Sequence, residues 1–349
     1  MMDQPLIQRP IVVTGGSGFI GRALVTALLA SGRHVINIDN LSYATRAWPL
    51  FQPQQSQPQQ PAQYHFVQAD ISDGEVIASV LQQYQPQALI NLAAETHVDH
   101  SIRQAAPFIQ TNVVGTGTLL AVVTKWWQAL QQQQQQQFRF LQVSTDEVFG
   151  DLGQLSHQRF SEHSPYAPSS PYSASKAAAD HLVGAWHRTY GLPTLITHCS
   201  NNYGPWQHPE KLIPCMLTAA LNNQPLPIYG DGLQVRDWLH VDDHVRALMM
   251  VLEKGEVGQR YVVGADNPMT NLNLVQRLCD ELMQIRPKAQ GHYRDLMTHV
   301  SDRPGHDRCY ALDASFIKQQ LGWRPQVDFE QGLQQTVSWV VNQMVKVHV

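Results

Sequence analysis

Charge is scarce in this chain. Only 15 % of its 349 residues are Asp, Glu, Lys or Arg, against 43 % hydrophobic residues, and the formal net charge is -4. No long basic run occurs, which argues against nucleic acid as the main partner, although single cations remain available to an anionic ligand. Cysteine is sparse as well. Cys199, Cys215, Cys279 and Cys309 are scattered with no CxxC spacing, which speaks for reduced thiols and against a disulfide framework or a zinc site, so no metal is expected. Met1 to Pro10 lacks the apolar core of a signal peptide, and no apolar run reads as long enough to span a bilayer. The expectation is a cytoplasmic enzyme or binding protein with no membrane partner. The length suits two domains or one large α/β unit.

What is present begins with a strand, Pro10 to Thr14, followed by Gly15-Gly16-Ser17-Gly18-Phe19-Ile20-Gly21 and a helical pattern from Arg22 to Ser31. Gly15, Gly18 and Gly21 stand three apart. Glycine permits the tight turn and the close approach of backbone N–H groups to a pyrophosphate at a helix N-terminus. A second strand, His34 to Ile38, ends in Asp39. An acid about 20 positions after the glycines suits a ribose 2′-hydroxyl and repels a 2′-phosphate, so NAD is favoured over NADP. Asn40 follows it. Tyr64 to Ala69 is a further strand running into Asp70-Ile71. Asp70 suits an adenine amine or, equally, the N-cap of the next helix. Ala88 to Ala94 is a buried strand whose small residues, Ala93 and Ala94, let the backbone approach a ligand. His97 follows at the carboxyl end, where ligands sit in open α/β sheets.

Phe138 to Val143 is another buried strand, and it leads into Ser144-Thr145-Asp146-Glu147-Val148-Phe149-Gly150. Neighbours on a strand point to opposite faces, so Asp146 and Glu147 can serve one substrate only if the strand ends near Ser144. Two adjacent carboxyls in a partly dry site repel when both are charged, and one keeps its proton. The result is one acid and one base, a pair suited to removing water from a molecule. Taken alone, Thr-Asp-Glu reads sooner as a solvated acidic loop or a helix N-cap, and its weight changes with what surrounds it.

Ser169-Ser170-Pro171-Tyr172-Ser173-Ala174-Ser175-Lys176 reads as a helix start, with Pro171 in the first turn. Tyr172 and Lys176 are four apart and share a face. A free phenol has a pKa of about 10, and ionising it near neutrality takes ~3–4 kcal/mol. One ammonium ~4 Å away supplies up to about 4 kcal/mol at an effective dielectric near 20. Lys176 therefore suffices to make Tyr172 a base for an alcohol or sugar hydroxyl. Tyr-x-x-x-Lys on an ordinary amphipathic helix is the alternative, and the dinucleotide pattern upstream favours the catalytic reading.

Two glutamine-rich stretches, Leu50 to Gln63 and Gln131 to Gln137, read as a surface insertion and as a solvated helix extension or loop. Pro107 to Leu130 reads as one long helix.

With these motifs assembled, the chain resembles the extended short-chain dehydrogenase/reductase family and, within it, the dTDP-glucose 4,6-dehydratases. The resemblance runs from Ile11 to about Trp339. It rests on Ala93 to Asp99, Ser144 to Gly150, Ser200-Asn201-Asn202-Tyr203-Gly204-Pro205, Pro209 to Pro214, Arg236-Asp237-Trp238 and Asp302 to Arg308. It implies a Rossmann-type doubly wound parallel sheet with a smaller mixed α/β substrate domain. Residues 1–199 would bind NAD, with 236–263 returning to that domain, and 200–349 would mainly hold a nucleotide-sugar. By resemblance, Tyr172, Lys176, Thr145, Asp146 and Glu147 are catalytic. Phe19, Ile20, Asp39, Asp70, Ile71, Thr111 and Asn202 join the glycines at NAD. Thr96, Asn201, Lys211, Leu212, Pro227, Ile228, Tyr229, Arg236, Asn271, Asp302, Arg303 and His306 hold the substrate, dTDP-glucose. Lys211, Arg236 and Arg303 are the cations a diphosphate needs.

His100 and Cys309 stand where the family commonly has arginine, and the loss of those two cations bears on base and sugar preference, whereas Thr96, where the family often has serine, keeps the hydroxyl. The resemblance also implies a homodimer through the Pro107 to Leu130 and Tyr172 to Tyr190 helices. Alternatives are a UDP- or CDP-linked dehydratase or 4-epimerase, or a non-catalytic NAD-binding regulator.

Overall fold

Short runs of β-branched and apolar residues, each closed by a polar or glycine turn, set up the parallel strands of this protein. The computed structural model describes residues 9–46, 63–153 and 158–347. The Leu50 to Gln63 insertion lies, except for Gln63, outside the described residues.

The elements follow in order: β1 (Ile11–Thr14), α1 (Phe19–Ala30), β2 (Val35–Asp39), α2 (Tyr43–Arg46), β3 (Tyr64–Gln68), α3 (Gly74–Tyr84), β4 (Ala88–Asn91), α4 (Val98–Arg103) and α5 (Ala106–Phe108). A π-helical turn (Ile109–Gly115) leads into α6 (Thr116–Gln128), α7 (Gln132–Gln137), β5 (Arg139–Thr145) and a 3₁₀ turn (Asp146–Phe149). Then come α8 (Pro171–Tyr190), β6 (Thr194–Cys199), β7 (Asn201–Tyr203), α9 (Leu212–Leu221), β8 (Leu226–Tyr229), β9 (Val235–His240), α10 (Val241–Lys254) and β10 (Arg260–Val263). β11 (Pro268–Thr270), α11 (Asn271–Ile285), β12 (Met297–Val300), α12 (Ser315–Leu321) and α13 (Phe329–Val347) complete the chain.

Seven strands form one sheet in the order β10-β6-β5-β4-β1-β2-β3. The pairs β1/β2, β1/β4, β2/β3 and β4/β5 are parallel. This is the doubly wound Rossmann arrangement expected from the sequence. Strand order reverses between β1 and β4, the position where such sheets bind ligands beyond the carboxyl ends of the strands. The Gly15 turn leaves β1 there, and Ala93 follows β4.

Contacts divide the chain into two units. The first comprises 1–144, 170–197 and 248–260, and the second 145–169, 198–247 and 261–349. These boundaries differ from a break at 199/200. Residues 145–169 fall in the second unit because they pair with its later chain: Leu152 N–H donates to Cys309 carbonyl at 3.1 Å and Phe160 N–H to Ala311 carbonyl at 2.9 Å. Of 236–263, only 248–260 fall in the first unit. The first unit has its own core, in which Val12, Ile36, Leu89 and Phe140 of the sheet pack with Leu119, Leu120 and Val123. In the second, Ile213 and Leu217 of α9, Leu274 and Leu278 of α11 and Val337 of α13 form another. That unit carries a mixed sheet, β7 pairing parallel and β11 antiparallel with β9.

Two expectations need correction. The helix over Pro107 to Leu130 is interrupted by the π-helical turn at Ile109–Gly115. Ala106–Gln128 is also long and apolar enough by composition to cross a bilayer, with 39 % of its apolar window buried. Thr, Gly and Asn dilute its apolar run, so no unbroken stretch marks it in the sequence. Leu119, Leu120, Val123 and Trp126 belong to the core of the first unit.

Candidate functional site

The cofactor elements lie in the first unit. Gly15 adopts φ +70 and its N–H donates to Ile38 carbonyl at 2.8 Å. A Cβ at Gly21 would stand 2.1 Å from the Gly15 carbonyl oxygen, so α1 approaches the loop more closely than any side chain permits. Helix α1 begins at Phe19, three residues earlier than its sequence pattern, and its cap Gly18 supplies no side-chain bond. Side chains therefore leave the first N–H groups of α1 to a ligand, as an anion at a helix N-terminus requires.

Asp39 ends β2. Its carboxylate accepts from Ser17 N–H at 3.0 Å and from Leu41 N–H at 2.8 Å, which ties it to the glycine turn. Burial raises its pKa, against the pull of those two bonds and of Arg22. Asn40 donates to Asp70 at 2.9 Å. Asp70 also accepts from Ser72 N–H and Oγ, at 2.9 and 2.6 Å. The N-cap role falls to Asp73 instead, which accepts from Val76 N–H. Ile71 is buried beside Gly115, where a Cβ would come within 2.8 Å of it. Ala93 N–H reaches Thr14 Oγ1 at 3.3 Å. Thr111 sits in the π turn, and Phe19, Ile20, Ala94 and Thr96 are partly exposed. This cradle, with its acid at the end of β2, fits a dinucleotide.

Tyr172 and Lys176 occupy one face of α8. The helix starts with a capping box in which Ser170 and Ser173 bond reciprocally, worth ~1 kcal/mol. The Tyr172 backbone is held on both sides: its N–H donates to Ser101 Oγ at 3.1 Å, and its carbonyl accepts from Ser175 Oγ at 2.7 Å. Lys176 Nζ donates to Val143 carbonyl at 2.8 Å.

The carboxyl pair lies in the second unit. Strand β5 ends at Thr145, next to the Ser144 end that the two-carboxyl argument required, and the 3₁₀ turn breaks the alternation from Asp146 onward. Thr145 accepts from Glu147 N–H at 3.3 Å and donates to Asp146 Oδ1 at 3.2 Å. Asp146 is 1 % exposed and Glu147 is partly exposed. Burial, then the charge of Glu147, pushes the Asp146 pKa well above the usual carboxylate range. Burial also raises Glu147, but the charges of Arg236, Arg303 and Lys211 pull it back. The two acids thus differ in environment as well as position. Phe149 anchors the turn against the rings of Phe160 and His198, 5.3 and 4.9 Å between centroids.

Around this pair the second unit gathers several predicted residues. Arg236 lies over Tyr310 and donates to Asp307 carbonyl at 2.9 Å. Asp302 pairs with His306 Nδ1 at 2.6 Å and accepts from Gln234 at 2.9 Å. Tyr229 meets the His306 ring edge-on at 6.4 Å, and Pro227 and Ile228 precede it on β8. Asn271 opens α11, and its N–H donates to Gln234 carbonyl. Lys211 and Leu212 form the start of α9, and Asn201 opens β7. Asn202 Oδ1 bonds His244 Nδ1 at 2.9 Å, while its Nδ2 donates to Ser200 carbonyl.

The GDP-mannose 4,6 dehydratase family model matches residues 12–336. A dTDP-glucose 4,6-dehydratase of Haemophilus influenzae is 54 % identical over 333 residues, covering 94 % of this chain and 97 % of that one. The chain belongs to the dTDP-glucose 4,6-dehydratase family. Solved structures of the family agree. The Streptomyces venezuelae enzyme with NAD bound is 40 % identical with a TM-score of 0.84, covering 97 % of this chain and 98 % of its own. The Bacillus anthracis enzyme in complex with NAD is 42 % identical with a TM-score of 0.79, covering 95 % and 96 %.

Sequence reasoning toward this family missed three buried polar side chains that lie near predicted residues within their own units. Tyr310 donates to the Asp307 carboxylate, and burial followed by the charge of Glu147 raises its pKa. His244 is fully buried, and desolvation lowers its pKa to about 3. A neutral ring fixes the amide of Asn202 by one hydrogen bond. Asp180 lies one turn beyond Lys176. Only Tyr310 carried a signal, its place two residues after Arg308 in the Asp302 to Arg308 run.

Proposed function

We propose that this chain is an NAD-dependent hydro-lyase that converts dTDP-glucose to dTDP-4-keto-6-deoxyglucose. NAD, held by the Gly15 to Gly21 turn and Asp39, supplies a hydride acceptor and donor: hydride leaves C4 and returns to C6. Tyr172 takes the proton of the sugar 4-hydroxyl, with Lys176 favouring its ionised form and Thr145 assisting. The 4-ketone acidifies the C5 proton, which passes to Glu147. Asp146 gives its proton to the departing 6-hydroxyl, and water leaves across C5 and C6. The proton held by Glu147 returns to C5 as C6 receives hydride, Tyr172 releases its proton to solvent and Asp146 regains one from solvent, so no external oxidant or reductant is consumed.

The observation that carries this reading is the unequal carboxyl pair. One turn holds an acid that burial pushes strongly toward its protonated form beside an acid whose smaller burial-driven rise three cations oppose. Elimination needs that combination, whereas 4-epimerisation expels no hydroxyl and has no use for an acid beside the base. Lys211, Arg236 and Arg303 serve the diphosphate as well as Glu147. Tyr229, Asn271, Asp302 and His306 recognise the rest of the nucleotide-sugar.

A homodimer is part of the proposal, formed through the Pro107 to Leu130 and Tyr172 to Tyr190 segments. Ile109, Val114 and Tyr190 of these segments are exposed, at 53, 45 and 47 %, which supports it. A cytoplasmic location is supported by the four free cysteines.

The test gives purified protein dTDP-glucose and, separately, UDP-glucose, and follows mass and absorbance near 340 nm. Loss of one water from dTDP-glucose without net reduction of NAD is expected. An epimer that keeps its 6-hydroxyl would overturn the dehydratase reading, and conversion of UDP-glucose alone would overturn the nucleotide.

A further inference from the structure

Asp180 is 2 % exposed and does not belong to the set of residues placed at the reaction above. Burying a carboxylate is costly unless its surroundings repay it, so its position calls for an explanation. It stands on α8 four residues beyond Lys176, which is itself 4 % exposed. That spacing puts the two side chains one above the other on one helix face. Both reach the end of the same strand. Lys176 Nζ donates to the carbonyl of Val143 at 2.8 Å, and Ser144 Oγ donates to Asp180 Oδ2 at 2.5 Å. Consecutive residues at the carboxyl end of β5 are therefore each fastened to α8, one through a cation and the next through an anion. The short Ser144–Asp180 bond is of the charge-assisted kind, the strongest class available to a hydroxyl.

We infer that Asp180 is a positioning residue for Lys176. Its carboxylate, with Ser144, clamps the end of β5 to the catalytic helix, and its negative charge one turn below sustains the buried ammonium. A long lysine side chain carries much rotamer freedom. With the strand end fixed against the helix, the Val143 carbonyl holds the ammonium in place on the face it shares with Tyr172. The function served is the first chemical step, removal of the 4-hydroxyl proton with C4 oxidation. Elimination, which belongs to Asp146 and Glu147, does not depend on it. This inference rests on the dehydratase reading.

The test is Asp180→Asn, which keeps the shape and an acceptor for Ser144 while removing the charge, with Ser144→Ala as the variant that removes only the bond. Each is compared with the parent for melting temperature, kcat, KM and the primary isotope effect on kcat with substrate deuterated at C4. A misplaced catalytic group costs up to ~100-fold. The expected result for Asp180→Asn is a kcat lower by about 10–100-fold, KM within about threefold, and a larger C4 isotope effect as oxidation becomes rate-limiting. Ser144→Ala should shift both quantities in the same direction by less. Loss of rate with an unchanged isotope effect would overturn the inference, because a merely structural role lowers the amount of competent enzyme without changing which step limits it. Parental kcat in both variants would overturn it equally. If the parent itself fails to dehydrate dTDP-glucose, the dehydratase reading fails, a separate outcome.

Discussion

The guanidinium carbon of Arg236 lies 4.3 Å from the centroid of the Tyr310 ring. The same side chain donates to the carbonyls of Val235 at 2.8 Å and Asp307 at 2.9 Å, so its plane is fixed on three sides. Its charge is the strongest of the three that draw Glu147 toward ionisation. Replacing Arg236 with Met removes that attraction, and Glu147 then holds its proton to higher pH. Since the base works ionised, the acid limb of log kcat/KM should move to higher pH. The rate near neutrality should fall by ~100-fold, the scale of a lost acid–base contribution. Arg236→Lys should recover part of the limb shift but little of the rate, because lysine has no planar fork to stack and bond. A pH–rate series on the three proteins decides it, and an unmoved limb would count against the charge coupling.

Glu147→Gln should block loss of water while leaving NAD affinity unchanged, since Glu147 belongs to the turn after β5 and the glycine cradle is elsewhere in the chain. Asp146→Asn should slow elimination more than C4 oxidation. Mass analysis of product together with titration of NAD by tryptophan fluorescence measures both. Parental turnover in the two variants would remove the acid and base assignments.

Asp146→Asn should also stabilise the protein, and increasingly so as pH rises. A carboxyl whose folded pKa is raised favours folding below its unfolded pKa, and that contribution is lost as pH climbs through the folded value. Burial raises Asp146 strongly, so ionised Asp146 opposes folding and an amide does not. Melting temperatures of parent and variant from pH 4 to pH 8 should diverge in favour of the variant. A constant difference would show that Asp146 is not desolvated.

Gly21→Ala should weaken NAD binding and stability together. The added methyl would meet the Gly15 oxygen at 2.1 Å and Gly16 Cα at 2.6 Å, both backbone atoms that cannot swing aside. Overpacking of this kind costs ~1–3 kcal/mol. A thermal melt with and without NAD separates the two losses. Gly32→Ala has no neighbour within 4 Å, but its φ of +78 makes it a control for backbone strain alone.

The sequence made the nucleotide half of the molecule legible because its signals are local. Gly15, Gly18, Gly21 and Asp39 declare themselves by spacing, and β1, α1 and β2 follow within 30 residues. Tyr172 and Lys176 were readable for the same reason, sharing a helix face. The π turn at Ile109–Gly115 was not, because one extra residue in a turn leaves the apolar pattern of Pro107 to Leu130 nearly intact. Nor was the pairing of Leu152 and Phe160 with residues about 150 positions later, which places 145–169 in the second unit. His244 and Asp180 lay hidden for another reason. A polar residue on a helix reads as solvated until the chain folded over it is known.

The glutamine run has a use that its composition concealed. Gln135 Nε2 donates to the carbonyls of Gln128 at 3.1 Å and Leu130 at 3.0 Å, closing the end of α6, while Trp127 Nε1 donates to the Gln135 carbonyl at 3.0 Å. Helix ends need such partners. In most proteins a residue gained or lost here would carry the capping group out of reach, since each position turns the helix by about 100°. A run of identical residues has no register to lose: another glutamine slides into the same place. The connection between α6 and β5 can therefore lengthen or shorten by a residue between related chains and still close the helix the same way.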